Sequence, residues 1–184
     1  MEQAALEVIA SSTADQLLKE RIAFRGLQEA DLQLVCGLIG AAMNSDEEHQ
    51  AHTTLITHLN CQKNGIPDGR VYELLLVDNS VAGIGGLHHY AWGPPKNVWL
   101  AWFAVDPRKQ GQGLGTRLLN RLLDRARHDG FKKLYVETYS SPEFQKARDF
   151  YCARGFRLGG YVTSYLPSGD DMVVYYKDLT HVQP

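Results

Sequence analysis

The sequence predicts an α/β domain of the α+β type, a mixed sheet flanked by helices. Three observations predict it. β-rich runs and helical patterns follow one another in the order β-αα-ββ-β-α-β-α-ββ. One run, Val98 to Val105, is apolar on both faces, as a central strand must be. The stretch "QGQGLGTRLL", Gln110 to Leu119, then leads from that run into an amphipathic helix through glycines on alternate positions. The 184 residues, 44% hydrophobic and 22% charged, suit one domain with a sizeable core.

Each element has a local reason. Residues 1–20 lack a clean period and read as an N-terminal extension ahead of a domain spanning 21–184. "RIAFRGL" (21–27) alternates as a strand does. Glu29 to Met43 sets Leu32, Val35, Cys36, Ile39 and Met43 at helical spacing, and Asp46 to Lys63 repeats the pattern with Leu55, Ile56 and Leu59. "NGIPDG" (64–69) is turn chemistry. "VYELLLVD" and "VAGIGGLHHY", joined at "DNS", read as a β-hairpin. Pro107 stops the strand at 98–106. Leu114, Leu118, Leu119, Leu122, Leu123 and Ala126 form one stripe of a helix ending before Gly130. "KKLYVETY" (132–139) is the next strand. A second helix follows, opened either by a Ser140–Glu143 capping box or by Ser141 with Pro142 at the first helical position. "YVTSYL" and "DMVVYYKDL", separated by "PSGD", are expected to form a closing hairpin.

Composition excludes several classes. A net charge of -2 provides no general attraction to nucleic acid or to an anionic membrane. The longest apolar run is far too short to span a bilayer. The first residues lack a basic leader and Glu7 interrupts their apolar stretch, so no signal peptide is expected. Cys36, Cys61 and Cys152 are odd in number with no CxxC pair, which reads as reduced thiols in a cytoplasmic protein.

The glycine loop is the feature that carries chemistry. Glycine costs roughly 1 kcal/mol against alanine inside a helix. Its presence at a helix start suits a close approach of main-chain N–H groups to an anion. The spacing is not the Gly-x-Gly-x-x-Gly of dinucleotide sites, because Thr116 stands where the third glycine belongs. No lysine follows the glycines, so a nucleoside-triphosphate loop is excluded too. A pyrophosphate held by backbone N–H groups remains.

Here the chain resembles a known family. "VDPRKQGQGLGTRLL" is similar to the acyl-CoA motif of the GNAT superfamily of N-acyltransferases, with Gln110, Gly113 and Gly115 in the core places. A second GNAT signature is matched by Ala147, Phe150, Tyr151, Gly155 and Phe156. The resemblance covers the element order from 21 to 180. It implies a central, mostly antiparallel sheet whose splayed strands hold acyl-CoA. Phe103, Ala104 and Val105 would bond the pantetheine arm as a false strand. The pyrophosphate would sit on the N–H groups of Gln110, Gly111, Gln112, Gly113, Leu114, Gly115 and Thr116. Arg108 and Lys109 are either phosphate partners or solvated loop residues. A side chain at Gly113 is expected to block the cofactor while leaving the fold nearly intact.

Acyl transfer to an amine needs a neutral amine, a stabilised oxyanion and a proton for the leaving thiolate. The resemblance gives Tyr151 the role of general acid, against packing as a helix-face aromatic, and the Val105 or Ala104 N–H that of thioester polariser. Many relatives carry a glutamate on the central strand, but Ala101 fills that place here. Glu137 on the neighbouring strand, His88 or His89 on the hairpin, or a water relay are the candidate bases. One histidine of the pair should face the cleft, since neighbours in a strand alternate faces. Phe144 replaces the family's frequent asparagine, so that CoA contact is not carried over.

His49, His52 and His58 lie on one predicted helix, but only the first two share a face and no third ligand is placed, so no metal is expected. Asp46, Glu47 and Glu48 either complement the helix dipole or attract a cationic amine. The reading is an acetyl-CoA-dependent N-acetyltransferase acting on a small primary amine by direct transfer in a ternary complex. A protein N-terminus or lysine is the alternative acceptor. A catalytically silent acyl-CoA-binding module is the rival from another class, kept open by Ala101. Homodimer formation stays open.

Overall fold

The structure is a computed structural model and describes residues 22–180; the expected extension at 1–20 lies outside them. Seven strands form one sheet in the order β1-β2-β3-β4-β5-β7-β6. They are β1 (Ile22–Gly26), β2 (Arg70–Val77), β3 (Ser80–His88), β4 (Asn97–Val105), β5 (Lys133–Tyr139), β6 (Arg157–Val162) and β7 (Met172–Asp178). Every neighbouring pair is antiparallel except β4–β5. A parallel pair needs a crossover, and helix α3 (Leu114–His128) provides it. Helices α1 (Leu32–Ala42) and α2 (Ser45–Lys63) precede the hairpin, and α4 (Gln145–Cys152) follows β5.

Alternation along the strands divides the core between two faces. Leu74 packs with Val35 and Ile39 of α1 and Leu55 of α2. Leu75, its neighbour, packs on the opposite face with Leu114 and Leu118 of α3. The leucine stripe of α3 is fully buried at Leu118, Leu119 and Leu122. Each such side chain contributes about 1.5–3 kcal/mol relative to exposure. β4 is the fourth of seven strands, central as its two-faced apolarity predicts. The β2–β3 hairpin turns through Asp78 and Asn79, both left-handed at φ 51° and 61°, the conformation that matches strand twist.

Two local expectations are corrected. The last hairpin pairs Arg157–Val162, not Tyr161–Leu166, with β7. β6 is an edge strand with four side chains in solvent, so no hydrophobic alternation marks it. Pro167–Asp170 is a turn inside a longer loop, closed by Leu166 N–H to Asp170 O at 3.0 Å. The capping box also does not form. Ser140 instead exchanges hydrogen bonds with Asp171 at the start of β7, and Pro142 takes the first position of a short 3-10 turn ahead of α4.

Candidate active site

β4 and β5 run together for only three residue pairs, the last being Trp99 and Tyr135. Beyond that point they part. β4 contributes to the parting with a bulge: Ala101 and Trp102 stand opposite the single Gly86 between the Leu100–Leu87 and Phe103–Gly85 pairs. The bulge is pinned outward by Trp102, whose Nε1 donates to Thr54 Oγ1 of α2 at 2.6 Å. The result is a cleft of about 1120 Å³, lined by Leu100–Val105 on one bank and Val136–Tyr139 on the other. Unpaired backbone along both banks can accept an extended amide-bearing arm as a false strand. Among the β4 N–H groups, alternation selects Val105. Asp106 N–H bonds Ala82 O of β3 at 2.9 Å, so Val105, one residue earlier, turns its peptide groups away from β3 and toward the parted side. Its carbonyl accepts there from Gln110 Nε2 at 3.1 Å.

That bond shows what the motif glutamine does: it folds the glycine loop back against the end of β4. Asp106 caps the intervening 3-10 turn and takes both Nε and Nη2 of Arg108, at 3.0 and 2.8 Å. Arg108 is therefore committed to Asp106. The loop glycines serve different needs. Gly113 is the N-cap residue of α3 at φ 76°, and Gly111 has φ 77°, both left-handed. At Gly115 a Cβ would approach Phe150 of α4 to 3.2 Å. As a left-handed residue, Gly113 cannot take valine without backbone strain, which corrects the expectation of a nearly intact fold. The first turn of α3 leaves the N–H groups of Leu114, Gly115 and Thr116 without intrahelical acceptors at the cleft. Gln110, Gly111 and Gly113 also line it, whereas Gln112 does not.

The loop is completed by a residue that sequence reading missed. Arg154 lines the cleft, lies 3.7 Å over the Phe150 ring, and donates to Thr116 Oγ1 and to Phe150 O. Burial lowers its pKa, and none of its hydrogen bonds goes to a carboxylate. The available signal was its place one helical turn beyond Phe150 in the second signature.

Tyr151 sits deeper on the same helix, packed among Phe103, Phe150 and Phe156. It is buried and lines the cleft. Desolvation alone raises its pKa, so the phenol keeps its proton.

The other end of the cleft is acidic. Glu137 projects from β5 into the open cleft, where water reaches it while surrounding protein raises its pKa. Glu47 of α2 and Glu143 line the same end. Asn44 ties these banks together: its Oδ1 accepts from Glu47 N–H at 2.9 Å and its Nδ2 donates to Glu143 at 3.2 Å. Asp46 is exposed, and Glu48 packs against α1 at Gly40, so of the three acids opening α2 only Glu47 lines the cleft.

Of the two histidines, His88 lines the cleft and His89 does not. His89 bonds Asn97 O through Nδ1 at 3.0 Å and packs beside Phe131, which ties the end of β3 to the start of β4. Strand alternation sends it to that side, so the expectation of His89 as a base is corrected. His88 is pushed down to about 4 by burial and by Arg70. His58 pairs with Asp68 at 3.0 Å beneath Tyr72. Among the described residues no helix is long and apolar enough to cross a membrane, and the three cysteines are free thiols.

The comparisons agree with this geometry. Residues 35–156 match the model of the acetyltransferase (GNAT) family. A crystal structure from Desulfovibrio desulfuricans, of a protein assigned to the GNAT acetyltransferases, superposes with a TM-score of 0.77 at 24% identity, covering 86% of this chain and 99% of that one. The ribosomal-protein-S18-alanine N-acetyltransferase of Escherichia coli gives 0.65 at 19% identity, over 88% and 96%. A Salmonella typhimurium structure with its cofactor acetyl-CoA gives 0.65 at 20%, over 89% and 98%. Among curated proteins, ubiquitin carboxyl-terminal hydrolase 12 of Saccharomyces cerevisiae is 28% identical over a stretch covering 44% of this chain and 8% of that protein. So small a part of that protein carries none of its chemistry across. With the family model spanning most of the chain and the fold shared with these structures, this protein belongs to the GNAT acetyltransferases, enzymes that use acyl-CoA.

Proposed function

We propose that this protein acetylates the primary amine of a small molecule by direct attack within a ternary complex. One observation carries the reading. Tyr151, Glu137 and the Val105 peptide line a single cleft at the point where β4 and β5 part. Acetyl-CoA, when bound, supplies the activated acetyl thioester. The residues present fit it: the first-turn N–H groups of α3, the left-handed glycines and Arg154 suit its phosphates, and the parted strands suit its arm.

The chain's own groups then divide the proton work. Glu137 is the base, taking a proton from the acceptor amine onto its carboxylate. Its raised pKa strengthens it as a base, whereas His88, at about 4, is too weakly basic to compete. The Val105 N–H is the donor placed for carbonyl polarisation. Tyr151 holds a proton at its hydroxyl and can release it into the cleft for a departing thiolate. Glu137 thus fills the need that Ala101 leaves on β4. The Asn44–Glu143 bond crosses the acceptor end, which supports a compact acceptor over an extended peptide.

Thiol release from acetyl-CoA, followed with a panel of small amines and of peptides with free N-termini, tests the reading. Release with small amines is expected. Release with peptides alone would transfer the activity to protein acceptors.

A further inference from the structure

Glu47 is a carboxylate that the proposed chemistry does not use. It is 8% exposed and lies in the first turn of α2, with its side chain at the cleft. Its backbone N–H is capped by Asn44, but its carboxylate takes part in no hydrogen bond or ion pair among the described residues. Burial and the carboxylates Glu143, Asp46 and Glu137 all raise its pKa; no lysine or arginine acts against them. Among the described residues none of the cleft's cations pairs with Glu47. Arg70 meets Asp68 at 3.4 Å, Arg154 bonds Thr116 at the glycine loop, and Lys146 is exposed on α4. A side chain this buried, with its unpaired carboxylate opening onto the cleft beside three others, is costly to ionise, and a bound cation would offset that cost.

Two walls of the seat are therefore acidic and one is aromatic. Tyr139 lines the same end of the cleft as Glu47 and Glu137, and its ring packs against Phe144 and Tyr165. An aromatic wall beside carboxylates favours an ammonium group over a neutral or anionic one.

We propose that the acceptor carries a second cationic group besides the amine that reacts, and that Glu47, assisted by Glu143, seats it while Glu137 serves the reacting nitrogen. The substrate class is then a diamine or polyamine-like molecule, not a monoamine or an amino acid. This rests on the reading of the enzyme as a small-amine acetyltransferase.

The test measures kcat/KM from thiol release with diaminobutane, butylamine and aminobutyrate, three chains of equal carbon number whose far ends are cationic, neutral and anionic. Diaminobutane is expected to lead butylamine by about ten-fold or more, with aminobutyrate last. Glu47→Gln should lower the diaminobutane value about ten-fold more than the butylamine value. Glu143→Gln, at an exposed position, provides a second variant and should compress the same ratio. Equal values for diaminobutane and butylamine in the unaltered enzyme, or equal losses in both variants, would overturn the second-cation seat while leaving the acetyltransferase reading intact. Absence of release with all three amines would overturn the small-amine reading and this inference with it.

Discussion

Arg154 Nη2 donates to Thr116 Oγ1 at 2.5 Å, joining the helix that carries Tyr151 to the first turn of the helix that follows the glycine loop. The two motifs of the sequence are thereby in physical contact, with the Phe150 ring packed under the guanidinium.

A partly buried guanidinium with no carboxylate partner should contribute a charge-assisted contact to phosphate, worth about 1.5–3 kcal/mol. Arg154→Gln is therefore expected to weaken acetyl-CoA binding by roughly ten- to one-hundred-fold. Acetyl-pantetheine, which lacks the nucleotide phosphates, should bind both proteins alike. Calorimetric titration with the two thioesters distinguishes lost phosphate recognition from a disturbed cleft.

Gly113→Val is expected to do two things at once. Placing a branched side chain at φ 76° should cost about 1–2 kcal/mol of stability and lower the melting midpoint. Its side chain would also enter the open space at the loop, where no protein atom lies within 4 Å of a built Cβ. Gly113→Asn separates the effects, because asparagine tolerates the left-handed region. The asparagine variant should melt near the parent and still lose acetyl-CoA affinity; unchanged affinity would remove the cradle from the loop.

Tyr151→Phe keeps the ring that packs on Phe103 and Phe156 and removes only the hydroxyl. kcat should fall by about 100- to 10,000-fold while acetyl-CoA affinity holds, as general acid catalysis would require. Because burial raises the phenol above its ordinary range, it stays protonated through neutral and mildly alkaline pH. No descending alkaline limb from this group is expected there. An unchanged kcat would leave Tyr151 as a packing residue.

The acid side of the profile is expected to report Glu137, the proposed base. A base acts only when deprotonated, and burial raises this carboxyl above its ordinary value. The rate should therefore rise with pH through a limb displaced upward from the ordinary glutamate value. Glu137→Gln should lower kcat by about 100-fold or more and abolish that limb. Survival of the limb in the variant would assign it to another group.

How much of this could be read from the chain alone follows from how local each signal was. Leu114–His128 has the predicted bounds because its leucine stripe and Gly130 lie within a few turns of one another. The glycine loop and the Tyr151 helix were equally legible, since backbone conformation and motif spacing are written in contiguous residues. β6 was misplaced because an edge strand in solvent has no apolar alternation to announce it. His88 and His89 are identical in type and adjacent, so which one faces the cleft depends on the pairing of β3 with β4.

The sequence by itself determined the family, the glycine loop ahead of a helix and the aromatic acid candidate, all through short-range patterns. The tertiary structure alone decided that the cleft opens beyond Trp99 and Tyr135, where the parallel pairing ends and the β4 bulge re-aims the strand. It also brought Arg154 to Thr116, 38 residues away, and Asn44 to Glu143, 99 residues away. These meetings depend on how two faces of a sheet are covered. The seat proposed at Glu47 likewise depends on tertiary burial, which leaves one helix-start acid facing the cleft while its neighbours Asp46 and Glu48 do not line it.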